Sequence, residues 1–289
     1  MKKVKSTLFS LLIAGSLMSP AHAATLGSED NSANNVGQEK FRVYIEANNQ
    51  SAKQSAKAQY SARWELTENG FSTEMNEKQF QALQKNKNFT VTKVPVVSLD
   101  PVNLEEDYTV DEKAPDVGIY ARASQQVPWG IKAIYNNSSL TSTSGGSGIN
   151  IAVLDTGVNT SHPDLANTVE QCKDFTTATS LVNNSCTDRN GHGTHVAGSA
   201  LADGGSDNGG VFGVAPDADL WAYKVLTDSG SGYSDDIAAA IRHAADQATA
   251  TGTKTIINMS LGSSAKQQPD FKRSQLCIQQ RRSYCCSSR

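Results

Sequence analysis

The chain has 289 residues, which is long enough for one large domain and a smaller one. Its formal net charge at pH 7 is −3, so the charge balance gives no electrostatic basis for binding nucleic acid or an anionic membrane surface. Hydrophobic residues make up 38% of the chain, and we therefore look to motifs, rather than composition, for its function.

The first 23 residues have the pattern of a secretory signal. Lys2, Lys3 and Lys5 precede an apolar run over residues 8–18, and small residues follow up to Ala23, where we expect cleavage. A membrane anchor is the alternative, but the apolar run is too short to span a bilayer comfortably. No later stretch is more apolar, so we expect a secreted protein without membrane contact once the signal is removed.

A small α+β unit is predicted after the signal. Residues 24–38 are small and polar and indicate a flexible leader, whereas Phe41–Ile45 and Phe89–Val94 alternate as half-buried strands. Between them, Asn76 is placed to cap a helix that runs to about residue 85. The core of this unit covers about residues 40–98.

Residues 100–122 indicate an exposed connector, because they are charged and contain Pro101 and Pro115. Beyond them, strands alternate with helices, which predicts a mostly parallel α/β sheet with helices on both faces. Ser234 is the expected cap of one helix, with Asp235 and Asp236 in its first turn. The predicted buried strands cover residues 149–154, 220–226 and 255–260, and the first of them is apolar along its length, without alternation.

Two motifs carry candidate chemistry. Asp155 ends the strand of Ile151-Ala-Val-Leu-Asp155-Thr-Gly-Val158, at the edge of the sheet where ligands bind. His192 begins the small-residue run Gly191-His-Gly-Thr-His-Val-Ala-Gly198, which suits a helix packed closely on the sheet. A buried carboxylate that holds one nitrogen of an imidazole leaves the other nitrogen free to act as a general base.

These two motifs resemble the aspartate and histidine blocks of subtilisin-like serine proteases, the subtilases. The resemblance covers Ser124 to about Gly262 and implies a secreted, monomeric endopeptidase that acts on proteins and peptides. It assigns the orienting carboxylate to Asp155 and the base to His192, and it makes His195 a packing residue. No organic cofactor is implied.

The resemblance also implies substrate-binding segments. Two glycine-containing stretches follow the catalytic blocks in the expected order and are similar to the edge segments that hold a substrate by main-chain pairing. Their residues are Ser229, Gly230, Ser231, Gly232, Ser260, Leu261 and Gly262.

A structural calcium ion is a further implication of the resemblance. Asp164 lies in His162-Pro-Asp-Leu165, a run that the family shares and whose aspartate often binds calcium, and Gln125 matches another ligand of that site. The glycine-rich loop over residues 201–211 departs from the family's calcium loop, which leaves the alternative that both side chains are simply solvated.

The domain organisation follows the subtilase precursor pattern. Residues 24–122 resemble the inhibitory propeptide that also aids folding, and 123–262 the first part of the catalytic domain, with processing near residues 120–123. The propeptide would then be an intramolecular partner of the catalytic domain. The alternative is an unrelated small α+β module.

Cys172 and Cys186 flank a polar loop just before the histidine block. Export to an oxidising compartment favours a disulfide between them. A zinc site lacks ligands at the usual short spacing, and free thiols are disfavoured outside the cell.

Two other enzyme classes compete with this interpretation. Asp155-Thr-Gly and Asp228-Ser-Gly are the paired motifs of an aspartic protease, which does not account for the histidine block. His192 and His195 are candidate zinc ligands, but the helical metalloprotease motif has a glutamate and a wider spacing.

The serine block of the family is absent from the 289 residues, and residues 263–289 lose all periodicity. With suitable codons, residues 274–289 shifted by one base encode Val-Asn-Tyr-Ala-Tyr-Ser-Lys-Gly-Val-Val-Ile-Val-Ala-Ala-Ala-Gly, a family-like core strand. We therefore interpret this segment as a frameshifted tail, the alternative being a genuine basic, cysteine-rich tail. Without the serine and the oxyanion asparagine, the chain as printed is expected to be inactive. A non-catalytic fragment whose propeptide inhibits a protease is the second functional hypothesis.

Overall fold

A computed structural model describes residues 39–99, 125–177, 181–206 and 209–262, together with the backbone of 283–287. The predicted signal, the leader, the connector and most of the tail lie outside the described residues. All described residues fall within one compact unit, Gln38–Arg289. Among them, no helix is both long enough and apolar enough to cross a bilayer.

Residues 39–99 form what we call the N-terminal module. Four of its strands make an antiparallel sheet in the order β2-β3-β1-β4, and two helices accompany the sheet. Its elements are β1 (Lys40–Ala47), α1 (Gln50–Gln59), β2 (Trp64–Glu65), β3 (Gly70–Asn76), α2 (Glu77–Gln84), β4 (Phe89–Lys93) and β5 (Val96–Ser98).

Local sequence explains α2. Asn76 accepts a hydrogen bond from the Gln79 backbone, and the Gln79 side chain accepts one from the Asn76 backbone, so the two form a capping box. Phe80 and Leu83 then pack into the module's core. The predicted strands β1 and β4 and the helix α2 are confirmed, although α1, β2, β3 and β5 were not predicted.

Residues 125–262 and β12 form what we call the core domain. Its main sheet has the strand order β12-β11-β6-β9-β7-β8, and every pair is parallel except β7–β8. Its elements are α3 (Trp129–Ile134), β6 (Ile149–Asp155), β7 (Val169–Asp174), β8 (Val182–Asn183), α4 (His192–Leu201), β9 (Asp219–Lys224), β10 (Ser231–Tyr233), α5 (Ser234–Thr251), β11 (Lys254–Met259) and β12 (Ser283–Ser287).

The main sheet is buried on both faces, as its apolar strands predict. In β6, Ile151 and Val153 pack in the cluster that contains residues of α4. Ala152 and Leu154 point the other way, into the cluster that contains residues of α5. The alternation of side chains along a strand thus places the two helices on opposite faces, and the predicted α/β class is confirmed.

Two expectations about elements are wrong. The cap of α5 is Tyr233 rather than Ser234, whose buried hydroxyl has no hydrogen-bond partner; the strand β10 continues directly into the helix and leaves Ser234 in its first turn. A strand, β12, also lies in the segment expected to lack periodic structure, because its backbone completes the parallel ladder beside β11.

The predicted disulfide is present between Cys172 of β7 and Cys186, with 5.2 Å between the two Cα atoms. It joins β7 to the loop that leads into α4. The Cys186 carbonyl also accepts a hydrogen bond from the Val158 backbone, just after Asp155. The cross-link therefore supports the region in which the two catalytic motifs meet.

Candidate active site

Asp155 and His192 meet at the carboxyl edge of the main sheet. Asp155 is the last residue of β6, and His192 is the first residue of α4. The His192 Nδ1 atom lies 2.7 Å from Asp155 Oδ1, within hydrogen-bonding distance. The Asp155 side chain is fully buried, while 34% of the His192 side chain is exposed. One ring nitrogen is thus held by a carboxylate, and the imidazole remains accessible from solvent.

Glycine allows this close approach. A Cβ atom on Gly193 would lie 2.1 Å from the Gly157 carbonyl oxygen and 3.1 Å from the Asp155 Cβ. Gly157 itself has a φ of +111°, a conformation that L side chains rarely adopt. The start of α4 can therefore lie directly against the end of β6 only with these two glycines in place.

Burial and hydrogen bonds act in opposite directions on the Asp155 carboxylate. Burial raises the pKa of its carboxyl above the ordinary value, and the hydrogen bond with His192 opposes this shift. The Thr156 backbone donates to Oδ1 at 2.7 Å, whereas Oδ2 is buried without a hydrogen-bond partner. This arrangement holds the imidazole in one orientation.

Sequence analysis missed Asp188, which organises the loop before His192. Its Oδ1 atom accepts hydrogen bonds from the Gly191 backbone at 2.9 Å and from Thr156 Oγ1 at 2.9 Å. Its Oδ2 atom accepts from Thr194 Oγ1 at 2.6 Å and from the Thr194 backbone at 2.9 Å. Asp188 therefore connects the end of β6 to the first turn of α4.

The pKa of Asp188 reflects this role. Partial burial raises the pKa of the carboxyl, but hydrogen bonds from Thr194 and Gly191 outweigh burial and lower the pKa below its ordinary value. The Gly191 cap of α4 supplies no side-chain hydrogen bond, so Asp188 does so instead. An acidic residue four positions before His192, at the start of a helix, was the available signal in the sequence.

The two predicted substrate-binding segments enclose a strand of the N-terminal module. Strand β5 pairs antiparallel with β10, so that Val97 lies opposite Gly232 and Ser98 opposite Ser231. On its other side, Ser98 forms a bridge with Gly262. The Leu99 backbone also donates to the Gly230 carbonyl at 2.8 Å.

The predicted residues of these segments have different parts in this pairing. Gly230, Ser231, Gly232 and Gly262 contact β5 or Leu99 through backbone atoms. The Ser229 hydroxyl instead contacts the Ser231 and Thr227 hydroxyls, and Ser260 Oγ accepts from the Asn258 amide. Leu261 is buried in the cluster beneath α5. Main-chain pairing of an extended chain is thus what the segments offer.

The two predicted calcium ligands approach the same loop. Gln125 Nε2 donates to the carbonyl oxygens of Gly204 at 2.9 Å and Gly205 at 3.0 Å. Asp164 Oδ2 accepts from the Val211 backbone at 3.0 Å. Asp164 supplies a carboxylate and the loop supplies carbonyl oxygens, which are donors that fit calcium, whereas Gln125 turns its amide nitrogen toward those carbonyls and would bind calcium only through its oxygen.

The alternative enzyme classes do not fit the geometry. The Asp228 carboxylate pairs with Lys224 Nζ at 2.9 Å and Arg189 Nη1 at 3.6 Å, while Asp155 pairs with His192. The two carboxylates thus have separate basic partners, unlike the shared-proton pair of an aspartic protease. Within the described residues, no group of three or more His, Cys, Asp or Glu side chains could hold a metal ion, which disfavours the zinc interpretation.

Comparison with known proteins agrees with the sequence and the geometry. The chain is 60% identical over 266 residues to subtilisin of Bacillus sp. (strain TA39), and the match covers 92% of this chain and 61% of that protein. It is 40% identical over 156 residues to the major intracellular serine protease of Bacillus subtilis (strain 168), covering 54% of this chain and 44% of that protein. The chain thus spans less than two thirds of the length of these relatives.

Solved structures give the same result. Sphericase is 76% identical with a TM-score of 0.55, and the match covers 57% of this chain and 53% of that chain. S41 psychrophilic protease is 68% identical with a TM-score of 0.54 and the same coverage.

The sequence pattern of the Subtilase family, Peptidase S8, matches residues 146–285. The resemblance seen in the sequence covers residues 124–262, so the family match starts later and also ends later. It therefore includes most of residues 263–289, the segment that we interpreted as a tail. It contains Asp155, His192 and both substrate-binding segments. This chain therefore contains a Peptidase S8 subtilase domain over residues 146–285.

Proposed function

We propose that the protein is a secreted serine endopeptidase in which Asp155 orients His192 and His192 acts as the general base. The 2.7 Å contact between Asp155 Oδ1 and His192 Nδ1 carries this proposal, because it leaves Nε2 as the nitrogen that can take a proton. In the acylation step, His192 takes the proton of a serine hydroxyl while the serine oxygen attacks the peptide carbonyl. It then gives that proton to the leaving amine.

The serine block is absent from the 289 residues, and we propose that a frameshift near residue 266 separates it from Asp155 and His192. Residues 283–287 occupy the strand position beside β11, where they pair in parallel with Thr255–Met259. In the shifted frame, residues 283–287 read Val-Ile-Val-Ala-Ala, which suits a buried parallel strand. Resequencing the coding DNA around Lys266 tests it, and an in-frame read without a family-like continuation would contradict it.

The second candidate function is inhibition by the N-terminal module. Strand β5 lies between the segments around β10 and Gly262, where an extended substrate would pair, so the module blocks access while it is bound. We propose that residues 24–122 act as a propeptide that inhibits the catalytic domain and aids its folding. Residues 24–122, expressed alone, should inhibit a related subtilase, and lack of inhibition would argue against this role.

Calcium is proposed as a structural ion near Gln125, Asp164 and the carbonyl oxygens of Gly204 and Gly205. These groups supply hard oxygen donors, and bound calcium would tie the start of the core domain to the loop after α4. Calcium at millimolar concentration should raise the melting temperature relative to a chelator. Asp164→Asn should abolish that increase, and Asp246→Asn is the control.

A covalent serine-directed inhibitor tests the enzymatic proposal. The printed chain should not react, whereas the frame-restored protein should be labelled and should hydrolyse casein after the module is removed. His192→Ala in the frame-restored protein should prevent both labelling and hydrolysis, while His195→Gln keeps the proposed base and serves as the matched control. Labelling that persists in His192→Ala would contradict the assignment of the base.

A further inference from the structure

A buried ionic contact joins the N-terminal module to the start of α5. Asp235 and Asp236 occupy the first turn of this helix, and their side chains are 0% and 2% exposed. Arg42 of β1 places Nη1 at 3.1 Å from Asp235 Oδ1 and at 2.6 Å from Asp236 Oδ2. One guanidinium group thus bridges two neighbouring carboxylates.

A second arginine completes the contact. Arg63 Nε donates to Asp236 Oδ1 at 3.0 Å, and its Nη2 donates to the carbonyl oxygens of Phe175 at 3.2 Å and Thr176 at 2.9 Å. The neighbouring Trp64 indole donates to Asp236 Oδ1 at 2.7 Å. Three donor groups of the module therefore converge on one carboxylate and its surroundings.

In the contact with α5, the module supplies the donors and the core domain supplies the acceptors. We call the core-domain side the acceptor surface; it comprises Asp235, Asp236, the ring of Tyr233 and the carbonyl groups of Phe175 and Thr176. The Tyr233 ring lies 4.0 Å from the Arg42 guanidinium carbon, in cation–π contact. Two guanidinium charges from the module face two carboxylate charges of α5, and inside the module Arg42 has one further carboxylate partner, with its Nε atom 3.7 Å from Glu74 Oε1.

The shape of the acceptor surface favours arginine over lysine. Arg63 uses its Nε and Nη2 atoms in different directions, and Arg42 combines a bridge to two carboxylates with stacking on a ring. A planar guanidinium group can do both, whereas an ammonium group is a compact point charge. Asp235 Oδ2 is buried, accepts no hydrogen bond and lies 3.9 Å from Arg63 Nε, so the surface retains acceptor capacity.

We propose that the acceptor surface is a two-arginine receptor, through which the core domain recognises its N-terminal module and which free guanidinium compounds can occupy once the module leaves. The proposal rests on the proposed role of the module as a separable partner of the catalytic domain. It adds a recognition site on α5 that is separate from the main-chain pairing of β5.

The test uses the full chain with a cleavage sequence for a site-specific protease inserted within residues 101–122. After cleavage, the retention of the module is measured by gel filtration over a dilution series. Asp236→Asn should weaken retention by about 100-fold, since it leaves two buried guanidinium groups short of a charged partner. Asp246→Asn, an exposed change on the same helix, is the matched control and should leave retention unchanged.

A conservative double variant separates recognition from folding. Arg42→Lys with Arg63→Lys keeps the charge and should still weaken retention by about tenfold, because lysine cannot reproduce the forked contacts. Hydrogen exchange of β1 and β6 verifies that both parts remain folded. Free arginine should also release the wild-type module at lower concentration than lysine does at equal ionic strength.

Unchanged retention in both Asp236→Asn and the double lysine variant would overturn the proposal, as would equal release by arginine and lysine. The inhibitory role is measured separately, by adding the released module to a related subtilase. Loss of retention in the variants without any inhibition would contradict only the proposed role as inhibitor. If the released module inhibits the related subtilase but the arginine variants are retained as well as the wild type, only the proposed two-arginine receptor would be contradicted.

Discussion

The N-terminal module and the core domain bury their hydrophobic residues in different ways. The module has a cluster built entirely from its own residues, centred on Val43, Ile45 and Phe71. The core domain has one such cluster beneath α4, but its larger cluster, beneath α5, includes Leu66 and Val97 of the module. The α5 side of the core domain is therefore completed by the module, whereas the module's own core takes nothing from the core domain.

This difference in packing indicates how strongly the folding stability of each part depends on the other part. Loss of the module removes apolar cover and both guanidinium partners from the α5 side of the core domain. Damage to the α4 side leaves the module's own core and its contact with α5 in place. The stability of the core domain should therefore depend on the module more than the stability of the module depends on the core domain. This pattern suits a segment that aids folding.

The largest expected effect comes from the centre of the module. Phe71→Ala removes a fully buried ring and should lower the free energy of unfolding by about 3–5 kcal/mol. Hydrogen exchange should show lost protection in β1 and β3 and also in α5, because Leu66 and Val97 are withdrawn with the module. The measurement is exchange followed by mass spectrometry, with denaturant unfolding for the free energy.

Leu201→Ala is the matched change on the α4 side of the core domain. It should cost about 2–5 kcal/mol, since Leu201 is also fully buried, but β1 and β3 should keep their protection. Equal loss of protection in the module for both variants would contradict the asymmetry.

The disulfide sharpens the comparison, because it cross-links the core domain alone. Cys172 and Cys186 are 14 residues apart, and a loop of this size corresponds to about 3 kcal/mol in the chain-entropy description. Cys172→Ser with Cys186→Ser should therefore lower the stability of the core domain by about that amount. Reductant should have the same effect on the wild type and none on the double variant; a reductant effect that persists in the double variant would show that this bond is not its target.

The parts of the fold that sequence predicted were those set by local rules. The Asn76 cap and the apolar run of β6 are readable within a few residues, and both were predicted correctly, although the reciprocal contact with Gln79 was not predicted. Helix α1 was not, because its sequence is rich in polar residues and buries only Lys53 and Ala56. The position of α1 depends on the Asn49 cap and on packing against the sheet. A short stretch of sequence does not reveal that packing.

In the candidate site, too, residues that stand in local motifs were predicted and long-range contacts were not. Asp155 and His192 stand in motifs, so the family resemblance brought them together across 37 positions. The partners of Asp236 are 173 and 194 positions away, and no pattern in the chain pairs them in advance. Long-range polar contacts of this kind depend on the assembled fold, which explains why the ionic contact at α5 was not predicted.

His243 offers a smaller effect on the α5 side. Burial lowers its pKa to about 4, and the nearby Lys173 lowers it further while Asp246 opposes the shift. Its ring packs against Phe175 and Tyr223, and its Nε2 atom is buried without a hydrogen-bond partner. The folded protein therefore favours the neutral imidazole, whereas an unfolded chain binds a proton near pH 6.5.

The pH dependence follows from this difference. Above about pH 6.5 the imidazole is neutral in both states and adds nothing; between about pH 6.5 and 4 the unfolded state alone is protonated, so stability falls as the pH falls. We expect a loss of up to about 3 kcal/mol over this range, measured by denaturant unfolding at each pH. His243→Gln should remove that part of the slope, and an unchanged slope would exclude His243 as its source.

The smallest expected effect tests the Asp188 network, and it concerns the core domain alone. Asp188→Ala removes the acceptor for the first turn of α4 and should cost about 0.5–2 kcal/mol, as loss of a helix cap does. It should also loosen the His192–Asp155 contact, because Thr156 loses the Asp188 oxygen that connects the end of β6 to α4. Nuclear magnetic resonance should then show a weakened Nδ1 proton signal for His192. Asp228→Ala removes an exposed carboxylate nearby and is the control; an identical His192 signal in both variants would limit Asp188 to capping the helix.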